Sequence, residues 1–218
     1  MDNAVEIIKK EKSMHRWDCA LGKTVGSVVV EINSENIHRH IKMIGQEQGN
    51  LINFSDVVIY ALAHSLKEFP EFNSNFDTEL RLKSNINVGF FINIDKGSRM
   101  AVIKDADKKS LIEISNEIKD LALKYIRDEL YDYGSNEYSI LISNLTSFNA
   151  KFTIVPVLDD QSTTISIASE FEHLRLINGI VTPVKMFNIS LSFDYRISNC
   201  QRALQYLNHV KKKLENLN

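Results

Sequence analysis

Near its C-terminus the chain reads Asn188-Ile-Ser-Leu-Ser-Phe-Asp-Tyr195-Arg-Ile-Ser-Asn199-Cys200-Gln-Arg-Ala. This is an alternating strand, a sharp polar break and the start of a helix. The break carries a phenol, an amide and a thiol. A phenol of pKa about 10 is only about one part in a thousand ionised at pH 7, so Tyr195 is a weak base without a strong local shift. It can instead donate a hydrogen bond to a ligand carbonyl, or simply fill space. Cys200, at the helix start, raises the question of a thiol nucleophile. No histidine is adjacent to it in sequence, and small buried cysteines are common. His38 and His40 lie two residues apart rather than at the i, i+4 spacing of a helical metal pair, and both read as surface residues. His64 sits in an apolar helix and reads as a packed core histidine. No nucleotide-binding glycine loop, metal cluster or haem signature is present.

The 218 residues suffice for one good-sized domain or two small ones, and no linker-like tract divides them. We expect a lead-in over 1–24 and one domain over 25–218. Hydrophobic residues make up 44% and charged residues 25%, with a net charge of −2. That balance argues against nucleic acid and against a membrane surface as partner. The apolar runs are strand-length, well short of the ~20 residues of a membrane helix. Met1 to Lys12 has no apolar signal region. Cys19 and Cys200 make neither a disulfide framework nor a metal spacing. A cytoplasmic protein is the expectation.

The pattern predicts a β-branched strand at 25–31 and a helix over 34–47 with Ile37, Ile41 and Ile44 as its stripe. A nearly all-apolar helix starts near Ser55 and Asp56 and ends before Pro70. Strands follow near 79–83, 86–94 and 100–104, with Asp95, Lys96 and Gly97 as turn residues. Ser110 to Glu113 fits a capping box for a helix whose period fades by about Tyr131. Further strands fall near 138–143, 152–157, 163–169, 173–177 and 186–193. A last helix runs over 199–215, with Ser198 and Gln201 as caps and Ala203, Leu207, Val210 and Leu214 as its buried stripe. Interleaved strands and helices without βαβ regularity favour an α+β two-layer sandwich of mixed sheet and helices.

Five segments carry a family resemblance. They are Leu66-Lys-Glu-Phe-Pro-Glu-Phe-Asn73, Ile86-Asn-Val-Gly89, Ala106 to Ile114, Ser139-Ile-Leu-Ile-Ser143-Asn-Leu145, and the strand-end segment that holds Tyr195. In this order they resemble the chloramphenicol acetyltransferase-like family, which includes the catalytic cores of the E2 acyltransferases of 2-oxo acid dehydrogenase complexes. The resemblance runs from about residue 25 to 216. It implies the chloramphenicol acetyltransferase-like version of the two-layer fold, a homotrimer, and an active site in a channel between subunits. From the resemblance we expect a free-standing catalytic domain, without the lipoyl domain and subunit-binding segment of a full E2 chain.

In the family the strand ends in His-x-x-x-Asp-Gly, and the His takes a proton from the attacking thiol, hydroxyl or amine. Here Tyr195 stands at the His position, Asn199 at the Asp and Cys200 at the Gly. A turn that often uses glycine for backbone freedom is expected to differ with Cys200. Ser143 matches the family serine that hydrogen-bonds the tetrahedral oxyanion. Either it retains that role or it is kept by strand and loop geometry. Asn199 keeps an acceptor and loses the charge that the family Asp offers, often to an arginine. Arg16 is a candidate for that arginine, or an ordinary surface one. Lys96 to Val102 departs from the family's Gly-Leu-x-x-Pro-Val, and Arg99 suggests an altered channel wall.

Three functions follow as expectations. The first is an atypical member that binds or acts on an acyl thioester, on coenzyme A or an acyl carrier protein, with no tightly bound cofactor. The second is an acyltransferase of low or specialised activity toward a small-molecule hydroxyl or amine. The third is an inactive structural or regulatory subunit that assembles with an active homologue.

Overall fold

A computed structural model describes residues 24–49, 51–76, 78–94, 97–129, 138–158 and 161–217. Arg16, Cys19, His15 and the turn residues Asp95 and Lys96 lie outside these, as does the expected helix fade near Tyr131. Nine strands and four α-helices occur among the described residues. In chain order they are β1 (Val25–Asn33), α1 (Glu35–Gln48), α2 (Phe54–Ser65), β2 (Ser74–Phe76), β3 (Leu80–Leu82), β4 (Val88–Ile94) and β5 (Gly97–Ile103). Then come α3 (Leu111–Ile126), β6 (Ile140–Asn144), β7 (Thr163–Ile167), β8 (Phe171–Ile177), β9 (Ile180–Asp194) and α4 (Cys200–Glu215).

Local chemistry sets the helix ends. At α3 the Glu113 amide donates to the Ser110 hydroxyl at 3.3 Å and the Ser110 amide donates to the Glu113 carboxylate at 2.7 Å, the expected capping box. A second box, Asn53 with Asp56, opens α2. Gly49, at φ 66°, ends α1 in the left-handed conformation that glycine adopts freely. At α4 the cap is Asn199, whose Oδ1 accepts from the Arg202 amide at 2.9 Å. Ser198 and Gln201 are therefore not the caps. Ser198 sits one residue too early, and its hydroxyl is buried without a partner.

The main sheet runs β1-β9-β7-β6-β4-β5, with β8 paired to the first half of β9. β6 is parallel to β4 and to β7, and the other pairings are antiparallel. Alternation along β9 divides its faces. Phe187, Ile189, Leu191 and Phe193 are fully buried and join Ile165, Ile167, Ile140 and Ile142 in the core shared with the helices. In α4, Ala203, Leu207, Val210 and Leu214 are fully buried as expected, each large one worth roughly 1.5–3 kcal/mol of burial.

The opposite face is polar at Ser143, Thr164, Ser166, Asn188, Ser190 and Ser192, with a small apolar cluster of Leu141, Val102 and Tyr138 beside them. Residues 151–158 cross it, but not as the strand expected at 152–157. Their carbonyls bond side chains instead of a ladder. Asn188 donates to Lys151 O at 3.0 Å, Ser166 to Thr153 O at 2.6 Å and Thr164 to Pro156 O at 3.2 Å. Pro156 has no amide to give to a ladder. The short β2–β3 pair supplies a strand, Ser74–Phe76, that three residues of sequence pattern do not announce.

β8 and the start of β9 form a hairpin that turns at Asn178 and Gly179, both at positive φ. Leu174, Leu176, Ile180 and Val181 on it are each more than 60% exposed. No helix of the described residues is long and apolar enough to cross a membrane.

Candidate functional site

Tyr195 is the first residue past β9. Its amide donates to Thr24 O at 2.8 Å, which carries the β1–β9 ladder one step further. Its ring lies across Gly26 of β1 and against Phe193, with ring centroids 5.3 Å apart. A Cβ on Gly26 would sit 2.5 Å from Tyr195 Cε2 and 2.7 Å from Phe193 Cζ. Glycine in an otherwise β-branched strand is thus what lets the phenol lie flat. Gly26→Ala is expected to cost about 1–3 kcal/mol of stability, because Phe193 is fully buried and cannot yield. Chemical denaturation checks this.

The ring remains 38% exposed, so a ligand can reach it. Its Oη lies 3.1 Å from Cys200 Sγ, the thiol of the first residue of α4. The hydrogen bond with Cys200, and then burial, push the phenol's pKa above its ordinary value. Tyr195 is therefore a neutral hydrogen-bonding group at pH 7 and a poorer base than a free phenol. Cys200 takes helical geometry with no positive φ, so this turn accommodates its Cβ.

Two arginines that sequence reasoning passed over fix the turn. Arg196 grips Asp194 through Nε at 3.0 Å to both carboxylate oxygens and through Nη2 at 2.7 Å. Asp194 is 1% exposed, and the guanidinium lies 4.6 Å from the Phe76 ring centroid. Arg202 reaches Glu71 at 2.5 Å and Glu68 O at 3.0 Å, and stacks 4.3 Å over Phe69. The signal available was an acid closing an apolar strand, with arginines two and eight residues on. Asn199 contributes to this frame by capping, and the arginine it caps toward is Arg202. Arg99, by contrast, is exposed and lies 5.9 Å from the Tyr125 ring centroid.

Ser143 is half-buried, one residue before the end of β6. Among the described residues its hydroxyl makes no hydrogen bond. The register runs Ser143 to Ser166 to Ser190, so Ser143 lies two strands from β9, level with a residue five before Tyr195. Standard strand spacing and rise put the two backbones about 19 Å apart. Ser143 is also on the polar face, whereas the Tyr195 ring packs on the helix-side face with Phe193. One chain therefore does not bring Ser143 and Tyr195 together, though it does bring Tyr195, Asn199 and Cys200 together.

His64 is half-buried, its ring against Tyr60 and its Nε2 bonded to Lys109 O at 2.9 Å, in line with a packed histidine. His38 and His40 are less free than expected. His38 pairs with Glu170 at 2.7 Å, and His40 Nδ1 is buried without a partner. Among the described residues no group of histidine, cysteine and acidic side chains is arranged to hold a metal.

The model of the 2-oxoacid dehydrogenases acyltransferase (catalytic domain) family matches residues 24–218. The dihydrolipoyllysine-residue acetyltransferase component of the pyruvate dehydrogenase complex from Staphylococcus epidermidis is 30% identical over 193 residues. That match covers 85% of this chain and 44% of the relative, so the chain spans less than half of that protein's length. A probable dihydrolipoamide acetyltransferase from Listeria monocytogenes superposes with a TM-score of 0.82 at 24% identity, covering 95% of this chain and 91% of the other. The Azotobacter vinelandii dihydrolipoamide acetyltransferase does so with a TM-score of 0.79 at 19% identity, covering 96% and 89%. That structure belongs to an investigation of the role of one serine, one histidine and one asparagine in the enzyme's catalytic mechanism. A chloramphenicol acetyltransferase superposes with a TM-score of 0.57 at 16% identity, covering 88% and 89%. The expected two-layer fold is the one these structures share.

Proposed function

This chain belongs to the 2-oxoacid dehydrogenase acyltransferase catalytic-domain family, and from that premise we propose that it binds an acyl thioester at a site completed between copies of the chain and lacking a side-chain base. The observation that carries this reading is the strand-end turn. There a neutral phenol, locked to Cys200, stands where a proton acceptor would be needed. Spacing supports the correspondence. The serine, histidine and asparagine of the Azotobacter enzyme are separated by the same numbers of residues as Ser143, Tyr195 and Asn199.

Tyr195 then donates a hydrogen bond to the thioester carbonyl or the acceptor, and Ser143 of a neighbouring copy faces the carbonyl oxygen. Because about 19 Å of sheet separates the two groups within one chain, a homotrimer with the site at its interfaces is the arrangement that unites them. Coenzyme A, or the equivalent arm of an acyl carrier protein, is the thiol of the donor substrate. Transfer without a base is confined to acceptors that already carry a free amine or thiolate, which positioning alone can assist by several kcal/mol. The raised phenol pKa also favours a second reading, a non-catalytic subunit that lends its Ser143 wall to an active homologue.

Calorimetric titration with a thioether analogue of acetyl-CoA tests the proposal. Saturable binding, weakened in a Gly26→Ala variant that displaces the Tyr195 ring, is the expected result. No binding of the coenzyme A analogue or of its pantetheine fragment would contradict it.

A further inference from the structure

A cavity of about 350 Å³ lies at the end of the sheet opposite Tyr195, lined by Phe54, Thr146, Ser147, Asn149, Ser169 and Glu170. That volume is at the small end of the range for ligand sites. The loop that forms one wall is held on several sides. Asn144 Oδ1 accepts from the Thr146 amide at 3.2 Å and from its hydroxyl at 2.8 Å, which turns the chain out of β6. Ser169 closes the loop by donating to Leu145 O at 3.0 Å and accepting from the Ala150 amide at 3.1 Å. Asn149 holds a left-handed φ of 54° between them. On the other wall Phe54, the first residue of α2, sits edge-on to Phe187 at 4.9 Å and stacks with His38 at 5.6 Å.

Glu170 stands on this rim with its carboxylate fixed by His38 Nε2–H at 2.7 Å. The two are half-exposed and away from the Tyr195 turn, and the acyl-transfer reading gives them no task. Ser147 and Asn149 are exposed and make no side-chain hydrogen bond among the described residues. The nearby cation Lys151 is directed at the Phe171 ring, 5.5 Å from its centroid. The cleft therefore offers one oriented carboxylate, one aromatic ring, a hydroxyl and an amide, all in a fixed frame. A carboxylate beside an aromatic ring suits an organic ammonium. The hydroxyl and amide suit neutral oxygen substituents on the same molecule.

We propose that this cleft binds a small hydroxylated primary amine. Thr146 follows Ser143 by three residues, so an amine seated there lies on the same segment as the proposed oxyanion donor. Its service as acyl acceptor rests on the acyl-transfer reading, whereas its binding does not.

The test uses glucosamine as the probe and N-acetylglucosamine, which keeps the hydroxyls and loses the charge, as its control. Binding is followed by chemical-shift changes of backbone amides in the full chain. Glucosamine is expected to shift Asn149, Glu170 and their neighbours saturably, and N-acetylglucosamine to bind at least tenfold more weakly. Glu170→Gln, which keeps an acceptor for His38, is expected to weaken glucosamine at least tenfold with an unchanged melting temperature. Equal binding of the two sugars, indifference to Glu170→Gln, or no shifts around the cleft would each overturn the proposal. If glucosamine binds here and no thioester analogue binds anywhere, the subsite stands and the acyl-transfer reading falls.

Discussion

Tyr195→His combined with Cys200→Gly is expected to raise acyl transfer from acetyl-CoA to a neutral thiol or hydroxyl acceptor by about 10²–10⁴-fold, the usual worth of a general base. An ordinary phenol is already neutral at pH 7, and the hydrogen bond to Cys200 and partial burial raise the Tyr195 pKa further. An imidazole there titrates near working pH and can accept the proton that the phenol cannot. The second substitution has a physical reason. The Cys200 thiol lies 3.1 Å from the phenol oxygen, and next to an imidazole it would form a competing ion pair. Tyr195→His alone is therefore expected to gain less than the double variant. Release of free coenzyme A, followed with a panel of acceptors, gives the rates. The turn tolerates both changes, because Asn199, Arg196 and Arg202 hold it through contacts that involve neither side chain. An increase confined to the variants would also set aside the non-catalytic reading of the site geometry, since only an otherwise complete site can gain from a base.

Ser143→Ala in that double-variant background is expected to lower kcat by about 10²–10³-fold, the typical loss for one oxyanion donor. It is expected to leave the melting temperature where it was. The serine hydroxyl is half-buried and makes no hydrogen bond among the described residues, so its removal strands no partner. A serine retained only for strand geometry would behave differently, with little change in kcat. The two outcomes separate an oxyanion donor from a structural serine, the alternatives that the sequence leaves open.

Much of the scaffold was legible because its signals are local and redundant. The buried stripe of α4 follows from four apolar residues at helical spacing, and the α3 start from a Ser-x-x-Glu box whose two bonds are both made. Segment 151–158 misled for a physical reason. Its β-branched residues suit an extended chain, but Pro156 and the neighbouring polar side chains direct its carbonyls away from a ladder. The α4 cap was misplaced by one residue because Ser198 and Asn199 are both good capping types, and only the path of the chain decides between them. The strand-end turn was visible as a place but not as a mechanism. That Gly26 clears space for the phenol and that Cys200 faces it depend on contacts between β1, β9 and α4. The distance between Ser143 and Tyr195 also needed the register. Fifty-odd residues of chain separate them, and only the pairing through β7 shows that they lie at opposite ends of the sheet.

If Ser143 of one copy and residue 195 of another make one site, mixing subunits restores activity that neither chain has alone. One chain carries Tyr195→His, Cys200→Gly and Ser143→Ala, and supplies the base without the oxyanion donor. The unmodified chain supplies the donor without the base. Each alone is expected to be nearly inactive. Co-assembled at equal ratio by denaturation and refolding together, they are expected to recover about a quarter of the double variant's activity, the fraction of interfaces in a randomly mixed trimer that pair the two intact groups. A mixture no more active than the sum of its parts, with mixed trimers shown to have formed by native mass spectrometry, would mean that the two groups do not share a site.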